Sequence, residues 1–348
     1  MKKLISKIIS FALVVSIPLS SSFADAVNNE GNKVLPSPLL MMDTFFAHHV
    51  LVAEKSTHAL HLYKNVDGKP ELVKSFQIAT GKKAGDKETE GDFRTPEGIY
   101  NFIDFLTNKQ LVAQSGAQGL IYGAGAFVTD YPNPVDRILK KTGSGIWLHS
   151  TNDETRIDKG LDSRGCVVTA NNELMEVSKY LELNKTPIII VQDLLYVNEK
   201  TFNTQRDELK KLVDNWLEAW RNKNIESYAS FYHPVEFSDS KGKFAAYKAY
   251  KKAVFSNPGQ PKIDLDHISI LKSKNYAVIT FTQTYQSKTI NDTGRKLLYL
   301  RQDENYNWKI VSEVFTKNGL ENMDKVAFEP SLRFFKEGEA VETKKGNN

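Results

Sequence analysis

The sequence of 348 residues contains a single cysteine, Cys166. It therefore has no internal disulfide, and in an oxidising compartment its thiol must be either sheltered or put to chemical use. Beyond the first two dozen residues, no stretch approaches the roughly 18 consecutive apolar residues that span a bilayer. Neither sign of charge dominates: 46 Lys and Arg stand against 42 Asp and Glu, with no clustered basic stripe. This balance points away from a nucleic-acid partner. A dinucleotide fingerprint is also missing, because the glycines at 123 and 125 are not followed by the remaining glycine and helix of that motif. His48, His49, His58 and His61 lie on apparent strand sequence without a carboxylate at helical spacing, unlike the usual zinc motifs. No metal or cofactor is expected.

Hydrophobic residues make up 41% of the chain, enough for two or three domains with real cores. Residues 1–24 read as an export signal. Lys2, Lys3 and Lys7 give a positive start, residues 8–19 an apolar core, and Ser22-Phe23-Ala24 a small-x-small cleavage site. Residues 25–49 form an N-terminal extension whose first part is polar and punctuated by Gly and Pro, as in a flexible lead-in. Its apolar run LLMMDTFF is expected to pack on the body of the protein or on a second copy, as in a homodimer.

From residue 50 the pattern is strand-rich. Residues 50–63 predict a hairpin around Glu-Lys-Ser-Thr, and 71–80 and 99–105 predict further strands flanking a charged, Gly-rich surface loop. Residues 120–130, 143–149, 167–168 and 188–191 complete an antiparallel, strand-rich domain. In it, Trp147 and His149 share one face, and Asn171 is a plausible N-cap for a helix. This domain spans 50–192, and 193–205 is a linker candidate. Across 206–330, Leu209, Leu212, Val213, Trp216, Leu217 and Trp220 make one helical face, two further helices follow, and four strands close a curved sheet. The tail is 331–348.

Chemistry concentrates at 145–168. A thiolate is the nucleophilic form of cysteine, so a histidine that accepts the thiol proton makes Cys166 reactive. His149 can serve if the intervening loop doubles back so that the two strands adjoin. Backbone N–H groups of Gly165 and Cys166 could then hold an oxyanion. Asp153, Asp158, Asp162 or a backbone carbonyl could fix the imidazole tautomer.

The arrangement of a strand His followed by Ser163-Arg164-Gly165-Cys166-Val167-Val168 resembles the signature of the YkuD-type L,D-transpeptidases. The upstream GKKAGDKETEGDFRTPEGIY resembles that family's glycine-lysine loop and Thr-Pro-x-Gly strand start. The resemblance implies an α+β fold, with a β-rich catalytic sandwich followed by an NTF2-like α+β cone. It also implies peptidoglycan stem peptides as substrate, Cys166 as nucleophile and His149 as base. Ser150 then supplies the orienting carbonyl, and Gly165 and Cys166 the oxyanion hole. Arg164 departs from the usual His and suits a substrate carboxylate; with Trp147 and Tyr122 it forms the candidate substrate-binding set.

The Arg form, export signal and appended domain are similar to periplasmic L,D-carboxypeptidases of helical and curved epsilonproteobacteria, which trim tetrapeptides to tripeptides and set cell shape. The alternatives are cross-linking transpeptidation and a non-catalytic wall-binding scaffold. The cone is expected to offer a pocket to a small ligand or protein. His233, Tyr228 and Tyr232 are candidates to line it, against the competing reading that they are core.

Overall fold

The structure, a computed structural model, describes residues 34–317, 320–321 and 328–335. The expected export signal and the charged end from Lys336 onward lie outside the described residues. The chain opens with β1 (Val34–Pro36), then β2 (His49–Glu54), β3 (Ala59–Val66), β4 (Lys69–Gln77), β5 (Thr80–Gly81) and β6 (Gly98–Thr107). Helix α1 (Asn108–Ser115) and a 3-10 turn at Gly116–Tyr122 lead into β7 (Gly125–Thr129), α2 (Pro134–Ile138) and β8 (Trp147–His149). Next come α3 (Thr155–Asp158), β9 (Leu161–Ser163), β10 (Val167–Val168), α4 (Asn171–Ser178), β11 (Pro187–Val191) and β12 (Tyr196–Asn198). The remainder is α5 (Glu199–Arg221), α6 (Ile225–Ser230), β13 (Ser238–Asp239), β14 (Gly242–Lys243), α7 (Phe244–Phe255), β15 (Lys262–Lys272), β16 (Ala277–Gln286), β17 (Asn291–Gln302) and β18 (Trp308–Thr316).

Eight strands form one sheet in the order β10-β8-β7-β6-β11-β2-β3-β4. The unbroken apolar run PIIIV of β11 is explained by its central place, paired with β6 on one side and β2 on the other. Strand β4, at the edge, instead exposes most of its residues. The expected antiparallel sheet is in fact mixed: β11 runs parallel to β2, and β10 parallel to β8. Both pairings arise because the chain returns through a crossover, and a crossover brings a strand back in the same direction.

The second unit is a four-stranded antiparallel sheet, β15-β16-β17-β18, wrapped on α5 to α7. The long helix presents Leu209, Val213, Trp216 and Trp220 to that core, as its 3.6-residue apolar spacing requires. It starts at Glu199, capped by the Asn198 side chain at 2.9 Å from the Thr201 N–H. The segment 193–205 is thus not a free linker: it holds β12, which pairs with β1, and the first two turns of α5.

The lead-in is likewise built into the body, in the part that is described. Leu35 and Leu40 enter the second core, whereas Leu39 and Met42 enter a third core shared by both units. LLMMDTFF therefore packs within its own chain, where Leu39, Leu40, Met42, Phe45 and Phe46 are buried. The tail also returns: Phe334 and Phe335 pack on Phe105 of the first sheet, at 5.1 and 5.2 Å between ring centroids.

The junction also carries hydrogen bonds. The Tyr276 hydroxyl accepts the Ile99 N–H at 2.5 Å and the Asn133 side-chain N–H at 2.8 Å. Arg295 donates to the Asn184 carbonyl. In the second unit, Tyr228 and Tyr232 are core residues, as the competing reading held. Their hydroxyls bond to each other at 2.6 Å and Tyr232 reaches Glu313 at 3.1 Å. His233 instead turns its Nδ1 to the Val235 and Glu236 N–H groups. The open concavity of about 620 Å³ lies elsewhere, among Trp220, Tyr250, Lys251, Gln283 and Tyr285. A hydroxyl cluster on Glu313 holds Tyr228 and Tyr232 in the core, and His233 is tied to its own turn.

Candidate active site

Strand β8 is short because Gly143 and Gly145 adopt φ of +90° and +70°, which breaks the extended run expected from residue 143. Its partner β10 pairs Val168 with His149 and Val167 with Leu148. Cys166, at the mouth of β10, therefore comes beside Trp147 and two residues along the register from His149. The adjoining strands are those on which the sequence argument depended.

His149 is buried, and its Nδ1 lies 2.5 Å from the Ser150 carbonyl oxygen, which leaves Nε2 as the free acceptor in the tautomer with hydrogen on Nδ1. Burial pushes the imidazole down to about 4 despite that bond, with the positive charge of Arg156 acting in the same direction as burial. The thiol of Cys166 is pushed up to about 11 by desolvation, opposed by the Trp147 N–H and the charges of Arg156 and Lys87. Both groups are therefore neutral at rest. The thiol donates to the Gly145 carbonyl at 3.4 Å, and among the described residues no hydrogen bond joins it to the imidazole.

Of the two N–H groups expected to face an oxyanion, one has a partner within the turn. The Gly165 N–H is already engaged, donating to Ser163 Oγ at 3.0 Å, while that hydroxyl donates to the Cys166 carbonyl at 2.6 Å. The Ser163 turn thus spends the Gly165 donor on its own shape and leaves the Cys166 N–H without an acceptor among the described residues. Gly165 has φ of +132°, and a Cβ there would stand 2.9 Å from the Arg94 carbonyl. The loop upstream is therefore a wall pressed on the cysteine turn. Lys55 fixes it through Gly85 O at 2.6 Å, Thr95 O at 3.1 Å and Glu97 at 2.9 Å.

The Tyr122 ring contacts both Trp147 and the histidine. The Tyr122 ring sits 5.0 Å from Trp147 and 4.9 Å from His149, edge-on to the latter. Tyr122 lies in the 3-10 turn rather than on a strand, since Gly116 and Gly123 on either side take positive φ and end the extended path. Arg164 is exposed, and among the described residues no hydrogen bond or ion pair engages its guanidinium. Sequence reasoning missed Arg156, which is held by Asp162 at 2.5 Å and by Thr151 at 3.1 Å and whose charge reaches both His149 and Cys166. Its place in a polar loop between the two gave no periodic signal.

Of the other histidines, His48 and His49 meet each other, whereas His61 meets Ser75 and Glu54. His48 Nδ1 lies 2.8 Å from His49 Nδ1, and Phe328 stacks on His48 at 4.0 Å. Among the described residues, no group of three or more His, Cys, Asp or Glu side chains could hold a metal ion.

Comparison with known proteins matches residues 48–190 to the L,D-transpeptidase catalytic domain, YkuD, and residues 208–314 to the Cds6 C-terminal NTF2-like domain. The structure of Bdellovibrio bacteriovorus Bd1075 is similar at 30% identity, with a TM-score of 0.71, over 82% of this chain and 99% of that one. The chain belongs to the L,D-transpeptidase family. It is also similar to the helical cell shape determining protein Pgp2 from Campylobacter jejuni. There the identity is 26% and the TM-score 0.63, over 80% of this chain and 95% of that one. No curated protein matches the chain significantly. Members of the YkuD family are cysteine enzymes acting on peptidoglycan, and the fold here is the expected pair, a β-rich YkuD unit and an NTF2-like unit.

Proposed function

We propose that this family member is a peptidoglycan L,D-carboxypeptidase that releases terminal D-alanine from the stem tetrapeptide and leaves the tripeptide. The observation that carries the reading is the β8–β10 pairing. It brings a buried neutral imidazole, held at Nδ1 by a backbone carbonyl, next to the only thiol in the chain. Such a pair is suited to acyl transfer.

In the mechanism, Cys166 rotates away from the Gly145 carbonyl, and Nε2 of His149 takes the thiol proton as Sγ attacks the carbonyl between meso-diaminopimelate and D-alanine. The Cys166 N–H receives the oxyanion. The C–N bond breaks as His149 returns its proton to the departing amine, leaving a thioester. His149 then takes a proton from water, whose oxygen attacks the thioester carbonyl, and the thiol is restored by that proton. Arg164, exposed, is placed to meet the terminal carboxylate, and Tyr122 and Trp147 to flank the stem.

The match to a transpeptidase domain favours a second reading in which an amine from another stem replaces water at the same thioester. Separation of products from the mature protein and disaccharide tetrapeptide distinguishes them. Tripeptide without dimers is expected; cross-linked dimers as the main product would overturn hydrolysis. We place the activity in the periplasm, reached through the 1–24 signal. A role in cell shape follows from the likeness to Pgp2, and deletion of the gene is expected to alter curvature and raise tetrapeptide content.

A further inference from the structure

Asn171 opens α4 without capping it: the cap position is Ala170, and the Asn171 side chain, 1% exposed, turns into the body of the protein. Its Oδ1 accepts the Ala124 N–H at 2.9 Å, and its Nδ2 donates to the Thr151 carbonyl at 2.7 Å and to Glu154 at 3.2 Å. Its own N–H donates to the same Glu154 oxygen at 3.1 Å. One amide therefore joins four segments: the end of the 3-10 turn, the residue two past His149, the start of α3 and the start of α4.

Ser150 sits inside this clamp. Its Oγ accepts the same Ala124 N–H at 2.7 Å and donates to the Tyr122 carbonyl at 3.2 Å. Its carbonyl holds the imidazole at 2.5 Å. With the Ser150 hydroxyl and the Thr151 carbonyl both anchored, the backbone between them has no freedom to swing the Ser150 carbonyl. Gly123 shows how closely the parts fit, since a Cβ there would stand 2.4 Å from Asn171 Oδ1 and 2.6 Å from Ser150 Oγ. An acceptor and a donor on one planar group are what the site needs, and only an amide of this length provides both.

We infer that Asn171 is a positioning residue of the acyl-transfer site: its amide aims the Ser150 carbonyl and thereby fixes the tautomer and ring plane of His149. Asn171 touches neither the thiol nor the candidate substrate-binding side chains. The inference rests on the reading of His149 as the base, and it extends that reading from the imidazole to the group that holds its orienting carbonyl in place.

The test compares the full mature chain with its Asn171→Ala and Asn171→Asp variants by D-alanine release and by nitrogen-edited NMR of the His149 imidazole. The wild type is expected to show a single tautomer with a low-field Nδ1 proton. Both variants are expected to lose that signal and to lose about 30-fold or more in kcat, with KM changed by less than about threefold. A kcat within about threefold of wild type overturns the inference. So does a loss of kcat with the His149 proton signal unchanged, which would mark a merely structural role. If Asn171→Ala fails to fold, Asn171→Asp, nearly the same shape, is judged by the same signal. If the wild type releases no D-alanine, the carboxypeptidase reading fails, whereas the tautomer readout still decides the role of Asn171.

Discussion

At the scale of single residues, the chemistry turns on two neutral groups. With His149 down at about 4 and Cys166 up at about 11, the reactive protonation state of the free enzyme extends across the whole range between. The pH profile of kcat/KM is therefore expected to be flat from about pH 5 to 9, without the limb near neutrality that a resident thiolate-imidazolium pair would give. A bell centred near pH 7 would contradict the assignment.

The same burial governs acid stability. His149 and His49, the latter down at about 3, take up protons only below the point at which the unfolded chain does, near 6.5. Their contribution is present above pH 6.5 and is lost as pH falls toward 4, because the unfolded state then binds more protons. Asp130, raised to about 6 by burial, acts in the opposite direction as a single group. The urea midpoint is expected to fall between pH 7 and pH 4.5. At Gly123, substitution by Ala would drive a methyl into Asn171 and Ser150 at a φ of +55°. About a 10²-fold loss of turnover is expected from displacing the histidine loop.

Among the elements, the strap at the end of the chain is the least anticipated. Phe334 and Phe335 reach back from the second unit to Phe105, and Phe334 also meets Phe127, whose neighbour across the sheet is Leu148 on the histidine strand. Phe335 is buried in the first core. Its replacement by Ala is expected to cost about 3–5 kcal/mol in denaturant unfolding, as for other buried aromatic truncations. A change below about 1 kcal/mol would show that the strap is only laid on the surface. The segment 331–335 gave no sequence sign of this, since two aromatics in a charged, non-periodic stretch carry no facing partner in the pattern.

Taken as a whole molecule, the two units share a core and are expected to unfold together. Val50, Val52, Ile99 and Ile189 of the first meet Leu271, Tyr276, Val278 and Val311 of the second. Tyr276→Phe would keep this packing and strand two buried donors, the Ile99 N–H and the Asn133 side-chain N–H. A cost of about 1–3 kcal/mol is expected. One transition should remain in urea; two would show that the units are coupled weakly.

By itself the sequence determined the strands 50–63 and 188–191, the long helix, the four closing strands, and the type of chemistry, because apolar periodicity and short motifs are local properties. The tertiary structure alone decided the parallel return of β10 beside β8, the use of the Gly165 N–H by Ser163, the burial of the lead-in, and the clamp on Ser150 made by Asn171. These depend on particular partners, 2 residues apart for Gly165 and Ser163 and 20 apart for Asn171 and Thr151. Even the nearest of them, the Ser163 turn, is set by hydrogen-bond geometry, and neither spacing nor composition records which donor is already taken.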